Sequence, residues 1–300
     1  MIRWLIFVLI CIGIVGLGGS ASAAPTDSRP SIEWERSEAG ETAFVPMKSA
    51  PYPHPSRDKG YTYNKVTIPR EPHYSDSTVG LFIPRGYRRK PKVGLLVYLH
   101  GWSTNVRKAI SEFKLRERIV ASGQNIILVF PEGPRDATDS GCGKLEDKDG
   151  LKHLVEESLA TLHAAGKIDQ QKIGHVLIAG HSGAYKGLAC CADHGGLDAQ
   201  LAGVCLLDSS YGNLDMFVSW VQKHPEGRFF SIFTDHLSAQ NVYLFTHMQK
   251  MDEHCTLRID RDATDELLAR SRTLFLHTET LKHDETVQWL ERWLRTWKLD

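Results

Sequence analysis

The strongest chemical signal in the chain lies in five residues, Gly180-His181-Ser182-Gly183-Ala184. They follow an apolar run read as a strand, His175 to Ala179, and precede a helical stretch carrying Tyr185, Leu188 and Ala189. A serine on a sharp strand-to-helix turn needs small residues two positions to either side, because the two backbones pass closely there. Gly180 and Ala184 meet that need. Such a turn lifts the Ser182 hydroxyl out of the sheet. The helix start behind it offers free N–H groups, that of Gly183 first, to a developing oxyanion. These residue types in this order suit nucleophilic acyl transfer. The plain alternative is a Gly/Ser turn of no function, since five residues recur by chance; the strand before and the helix after favour chemistry.

The motif resembles the nucleophile elbow Gly-x-Ser-x-Gly of the α/β-hydrolase family, with Ala184 in place of the last glycine. A second likeness is independent of the first. The strand Val93 to Leu99 ends in His100-Gly101-Trp102-Ser103, where that family carries a His-Gly oxyanion loop. The resemblance implies that the backbone N–H of Trp102 joins that of Gly183, with His100 structural. The third likeness is order, acid after nucleophile and histidine last. It implies His283 as the base, in a loop before the final helix with no histidine after it; His277, nearer the strand end, is the alternative. Two aspartates end strands on the proper side. Asp235 follows the penultimate strand, the family's usual place for the acid, and is preferred. Asp208 ends the strand beside the nucleophile's, a place some lipases use. Either can accept the Nδ1 hydrogen bond that fixes the base's tautomer, and the other is then a cap or turn residue.

To position these groups, short apolar runs must alternate with helices, the signature of a mostly parallel sheet covered on both faces. The buried strands predicted are Val93 to Leu99, Asn125 to Phe130, His175 to Ala179, Leu201 to Leu207, Phe229 to Thr234 and Thr273 to Leu276. Helices are predicted near Val106 to Ala121, Leu151 to Ala165, Gly183 to Ala192, Leu214 to Lys223 and Ala239 to Met251. A final helix starts from Asp284 as N-cap, with Glu285 in its first turn and an aromatic stripe of Trp289, Trp293 and Trp297 packed on the sheet. Ahead of these, Tyr61 to Ile68 and Ser77 to Ile83 suit an antiparallel hairpin entering the sheet. The expected architecture is a single α/β domain of the α/β-hydrolase fold over residues 61–300. Only 209–228 and 236–272 offer room for a cap, so a small cap or none is expected.

Arg3 precedes an apolar run from Trp4 to Leu17, then Ala21-Ser22-Ala23, the form of a signal-peptidase site. Residues 1–23 therefore read as a signal peptide, cleaved near Ala23. The run is shorter than the about 20 residues of a membrane span, so an exported chain, periplasmic or secreted, without stable membrane insertion is expected. Residues 24–60, rich in proline, read as an extended leader. Five cysteines remain: Cys190, Cys191 and Cys205 read as buried hydrophobes, while Cys142 and Cys255 have the option of one bridge.

Thirty-six basic residues balance thirty-six acidic ones, which disfavours nucleic acid or anionic lipid as a partner. The spacings expected of a dinucleotide fold, a Walker loop or a zinc site do not occur, so neither cofactor nor metal is expected. The resemblance implies a serine hydrolase that cleaves a small-molecule carboxylic ester through an acyl-enzyme on Ser182. The alternatives are amide or peptide cleavage by the same residues, and a non-catalytic binding protein on this scaffold.

Overall fold

The computed structural model describes residues 32–297, and the signal-peptide reading lies outside them. In chain order the strands are β1 (Glu35–Ser37), β2 (Gly40–Pro46), β3 (Tyr61–Tyr63), β4 (Val66–Ile68), β5 (Thr78–Pro84), β6 (Val93–Leu99), β7 (Ile126–Pro131), β8 (Ile173–His181), β9 (Leu201–Leu207), β10 (Arg228–Phe233), β11 (Thr256–Ile259) and β12 (Thr273–His277). The helices are α1 (Arg70–His73), α2 (Val106–Glu112), α3 (Leu115–Ser122), α4 (Gly150–Ala164), α5 (Tyr185–His194), α6 (Leu214–Lys223), α7 (Ser238–Met248), α8 (Asp265–Arg270) and α9 (Trp289–Arg295).

Ten strands form one sheet in the order β1-β2-β5-β7-β6-β8-β9-β10-β12-β11. From β7 to β11 every neighbour pair is parallel, and β1, β2 and β5 continue the other edge antiparallel. From β7 to β12 along the sheet both faces are largely buried, which is why these strands read as apolar runs, whereas the edge strand β11 has no buried residue and is not anticipated from the sequence. Along β6, Leu95, Val97 and Leu99 face one core with residues of α4, α5, α6 and α7. Leu96 and Tyr98 face a second core with residues of α2, α3, α8 and α9. The period of two along the strand thus splits one hydrophobic run between two helical layers.

Several sequence expectations need correction. Residues read as leader contribute β1 and β2 to the main sheet, with Thr42 and Ala43 fully buried. Gly40 permits this: its φ is +148°, and a Cβ there would lie 2.1 Å from the Ile83 carbonyl oxygen. Three of the prolines that suggest a leader, Pro51, Pro53 and Pro55, fall after the strand. Tyr61 to Ile68 does not enter the sheet. Asn64 and Lys65 both have positive φ, 47° and 65°, and fold the run back on itself as the separate hairpin β3–β4. Two left-handed residues in succession are what a tight two-residue hairpin turn needs. The terminal helical segment begins at His283 as a 3-10 turn, so Asp284 is not its cap. Glu285 accepts the backbone N–H of Lys282 at 2.7 Å and secures the start of that turn. The described cysteines are free, Cys142 and Cys255 included, so the two form no bridge.

Candidate active site

Parallel pairing brings the carboxyl ends of β8, β9, β10 and β12 to one edge of the sheet. His181 pairs with Leu207, Leu207 with Ile232, and Phe233 with His277. The next residues along each chain, Ser182, Asp208 and Thr234, therefore emerge side by side. Ser182 and Asp208 both leave their strands with positive φ, 57° and 49°. Aspartate tolerates that region, but for a serine it is costly and persists only where the surroundings enforce it.

Close packing enforces the turn at Ser182. A Cβ on Gly180 would lie 2.6 Å from Ala184 Cβ and 3.0 Å from Leu188 Cδ1. With a glycine on one side of the serine, the other side accommodates a methyl group. That accounts for Ala184 in the motif. A Cβ on Gly101 would lie 2.7 Å from Ser182 Cβ, so the loop after β6 runs directly against the serine. On Gly183 a Cβ would lie 2.4 Å from Trp102 Cδ1. Trp102 in turn donates its indole N–H to Ser140 Oγ at 2.8 Å. Gly183 and Trp102 are thus in contact, and both line the cleft at Ser182. Beneath the loop, buried His100 pairs with Glu132 at 3.0 Å. Burial would push its pKa down, but the Glu132 carboxylate outweighs that and holds it raised.

Of the two aspartates, the structure brings Asp208 to His283. Asp208 Oδ2 accepts from His283 Nδ1 at 2.6 Å, and the carboxylate also accepts from the Thr234 backbone N–H and hydroxyl, both at 2.9 Å. The side chain has no solvent exposure. Burial raises its pKa, but the hydrogen bonds from His283 and Thr234 prevail and lower it, so the group is ionised at neutral pH. Asp235, the preferred acid in the sequence, points away. Its side chain is 89% exposed and meets His277 Nε2 at 2.7 Å. The reason is its position, two residues past the end of β10 and inside a 3-10 turn, whereas Asp208 follows β9 immediately, on the strand paired with β8.

His283 is held from behind through its backbone. Its carbonyl oxygen accepts from Thr286 Oγ1 at 2.7 Å and from His181 Nε2 at 3.1 Å. Burial first, then the nearby His283, push the His181 pKa down to about 4, so this neighbour is neutral near pH 7.

A cleft of about 610 Å³ opens on Ser182 and Gly183. Tyr61, Tyr63, Trp102, Tyr185 and Tyr211 furnish its aromatic walls, and Tyr63 meets Trp102 edge-on at 5.1 Å. The cations in the wall are paired, Arg57 with Asp139 and Lys186 with Glu146, each at 2.6 Å. Donor atoms of Asp208, His236 and His283 lie within 4.8 Å of one another, close enough to hold a metal ion. They are engaged, however: His283 with Asp208, and His236 with Thr234 and Tyr211.

No protein-family model matches the sequence, and neither does any curated protein. Solved structures match by shape. A mutant of the feruloyl esterase module from Clostridium thermocellum, complexed with sinapinate, is 12% identical over 73% of this chain and 82% of its own, with a TM-score of 0.52. A structure named FAE is 12% identical over 74% and 83%, with a TM-score of 0.51. The S-formylglutathione hydrolase of Agrobacterium tumefaciens is 11% identical over 90% and 99%, at 0.49. The chain has the α/β-hydrolase fold. At such identities the likeness is one of architecture, and the chemistry must be argued from the site.

Within the α/β-hydrolase frame, Ser182, Gly183, Trp102, Asp208 and His283 converge at one edge of the sheet, while Asp235 and His277 form a separate surface pair. Sequence reasoning missed Thr234 and His236, which flank Asp208 and His283. It also missed that Tyr61 and Tyr63 overhang the cleft. The signal was present in Asn64-Lys65, a polar pair between two short β-prone runs.

Proposed function

We propose that the protein is a serine hydrolase that cleaves carboxylic esters. The observation that supports this best is the buried Asp208–His283 hydrogen bond at the sheet edge from which Ser182 emerges with φ +57°. In this reading Asp208 fixes the Nδ1–H tautomer of His283, leaving Nε2 free as general base. Nε2 takes the Ser182 proton as Oγ attacks the ester carbonyl. The backbone N–H groups of Gly183 and Trp102 stabilise the oxyanion. His283 then protonates the departing alcohol, and water, activated by the same imidazole, releases the acid.

The cleft suits an uncharged, flat acyl group. Its walls are aromatic, and its cations already sit on carboxylates. The segments 209–228 and 236–272 supply α6, α7, β11 and α8 rather than a separate lid; the wall over the site comes from residues 57–63 and 139–141. An aromatic carboxylic ester is therefore the substrate class favoured, in keeping with the sinapinate complex of the feruloyl esterase module. A fluorophosphonate probe is expected to label Ser182 and no other residue. Nitrophenyl acetate and a methyl hydroxycinnamate should both turn over, faster than long-chain esters and with no jump in rate above the solubility limit. Absence of label at Ser182 overturns the assignment, and activation only above that limit overturns the view of an open cleft.

We further propose that the chain is exported, on the strength of the apolar run and Ala21-Ser22-Ala23. No helix among the described residues is long and apolar enough to cross a membrane. The exported protein should begin at Ala24 or Pro25 by mass spectrometry; Met1 on the exported form contradicts this.

A further inference from the structure

Beside the cleft lies a small core of its own, Tyr52, Ile68, Tyr74 and Ala137 with Tyr61 packed against it, separate from the two cores that flank the sheet. Arg57 sits over the Tyr74 ring of that core, 5.9 Å from its centroid. Buried Asp139 takes its guanidinium in a two-pronged pair: Nε donates to Oδ2 at 2.6 Å and Nη2 to Oδ1 at 3.0 Å. The third nitrogen, Nη1, donates to the Ser56 carbonyl oxygen at 3.0 Å. Oδ1 of Asp139 also accepts the backbone N–H of Gly141 at 2.8 Å, which fixes the turn of the loop 139–141. A Cβ on Gly141 would lie 2.5 Å from Arg57 Nη2, so glycine lets this loop close on the pair.

From this pair the contacts run in a closed ring. Asp139 is followed by Ser140, whose Oγ accepts the Trp102 indole N–H at 2.8 Å, and Trp102 meets Tyr63 edge-on at 5.1 Å. Tyr63 and Tyr61 lie two apart on β3 and so share a face. Tyr61 returns to the start, its ring centroid 4.7 Å from the Arg57 guanidinium carbon. Three of the aromatic walls are therefore members of one ring of contacts whose ionic link is Arg57–Asp139. With all three guanidinium nitrogens engaged, the pair is not there to receive a charged substrate. Nor is stability its reason, since a buried ion pair is often no more stabilising than apolar side chains of the same size; fixing one arrangement is the better-attested use of such a pair.

We propose that the Arg57–Asp139 pair is a clamp that sets the acyl specificity of the cleft, holding Tyr61 through the guanidinium and Trp102 through Ser140 so that a flat aromatic acyl group meets walls already in place. This inference rests on the reading of the cleft as a site for aromatic carboxylic esters. Arg57, Asp139 and Ser140 act through the rings they hold and are positioning residues. Their effect falls on binding: a wall fixed in advance costs the ligand nothing to order, whereas a loose one must be ordered when the ligand enters. An acetyl group, too small to span the walls, gains little from the clamp. Selection between the two acyl groups is therefore the property that the clamp controls.

The test measures the Kd of methyl hydroxycinnamate by calorimetry, with Ser182→Ala throughout to preserve the ester, alone and combined with Ser140→Ala, Ser140→Thr, Arg57→Lys or Arg57→Lys/Ser140→Ala. Ser140→Ala frees the indole and should raise Kd about three- to tenfold, the cost of ordering one side chain on binding. Ser140→Thr keeps the accepting oxygen and should stay within about twofold. Lysine keeps the charge beside Asp139 but not the fork, so Arg57→Lys should cost about tenfold. The double variant should lie within about twofold of Arg57→Lys, because both changes release Trp102 from the same loop. With Ser182 restored, the ratio of kcat/KM for methyl hydroxycinnamate to that for nitrophenyl acetate should fall about tenfold in Arg57→Lys, whereas general damage to the fold would lower both values alike. An unchanged Kd in Ser140→Ala, Ser140→Thr as weak as Ser140→Ala, multiplied losses in the double variant, or an unchanged ratio each overturn the clamp. An unaltered protein that cleaves the acetate but neither binds nor cleaves the hydroxycinnamate brings down the aromatic substrate class, and the clamp with it. Ester consumed by Ser182→Ala brings down the nucleophile reading alone, and KM then takes the place of Kd in the same comparison. Ser140→Ala removes a single oxygen from a partly exposed side chain, so it decides the matter even if Arg57→Lys fails to fold.

Discussion

Ser182→Ala should abolish ester hydrolysis and leave the thermal unfolding transition nearly where it is. The loss expected is large, on the order of 10⁶ in kcat where a serine nucleophile acts as a unit with its base, because the remaining groups have nothing to activate. Stability should barely move: a methyl replaces a hydroxymethyl, and the left-handed backbone is kept. Ser182→Gly separates the two effects further. Glycine adopts φ +57° without the strain a side chain incurs there, so this variant should be as inactive as alanine yet more stable, by about 1 kcal/mol. Turnover of a nitrophenyl ester and a melting curve for each variant check both statements. Residual turnover within tenfold of the unaltered enzyme, in either variant with its melting intact, removes Ser182 from the chemistry.

The elbow is legible in the sequence because local rules dictate it. Strand, small residue, serine, small residue and helix lie contiguous in the chain, and the packing of Gly180 on Ala184 is a contact within five residues. The parallel strands are equally legible, since burial on both faces leaves uninterrupted apolar runs at β6 to β10. What is not legible depends on partners distant in sequence. Asp208 and Asp235 both follow strands of similar character, and both find a histidine, His283 and His277 respectively. Nothing local tells which strand end lies beside β8. Only the sheet order, with β9 paired to β8 and β10 one place further out, separates them. The same holds at the amino-terminal side. Glu41 to Val45 is masked by the proline-rich stretch around it, although it pairs along its whole length with β5. The hairpin β3–β4 has the pattern of sheet strands, yet it stands apart from the sheet and its tyrosines wall the cleft. Local pattern gives the element; long-range pairing gives its place, and the site is made from places.

Asp208→Asn should be the crippling change among the acids, by about 10⁴ in kcat, the loss that follows when the aspartate of a serine-protease triad becomes asparagine, with Asp235→Asn within about threefold of the unaltered protein. Proton direction at His283 sets the difference. In the Asp208→Asn variant the new amide would keep its oxygen for the Thr234 backbone N–H, at the place where Asp208 Oδ1 accepts at 2.9 Å. The amide nitrogen would then face His283 Nδ1, where Oδ2 now accepts at 2.6 Å, and an amide nitrogen only donates. His283 would be driven to carry its proton on Nε2, the atom that must accept from Ser182, and the imidazolium formed on attack would lose its neighbouring charge. Asp235, exposed and bonded to His277 at the surface, exerts no such control. A pH signature accompanies the change. The native-state pKa of Asp208 is lowered, so its contribution to stability is complete above the ordinary carboxyl value of about 3.9 and is lost as pH falls through the lower folded value. Asp208→Asn should therefore flatten the acid limb of the stability profile. Kinetics of both variants at neutral pH, with denaturation midpoints from about pH 6 down to about pH 3, test the assignment from two independent sides. If Asp235→Asn were the slower enzyme, the acid would be the other aspartate; small and equal losses in both would mean that neither carboxylate governs the histidine.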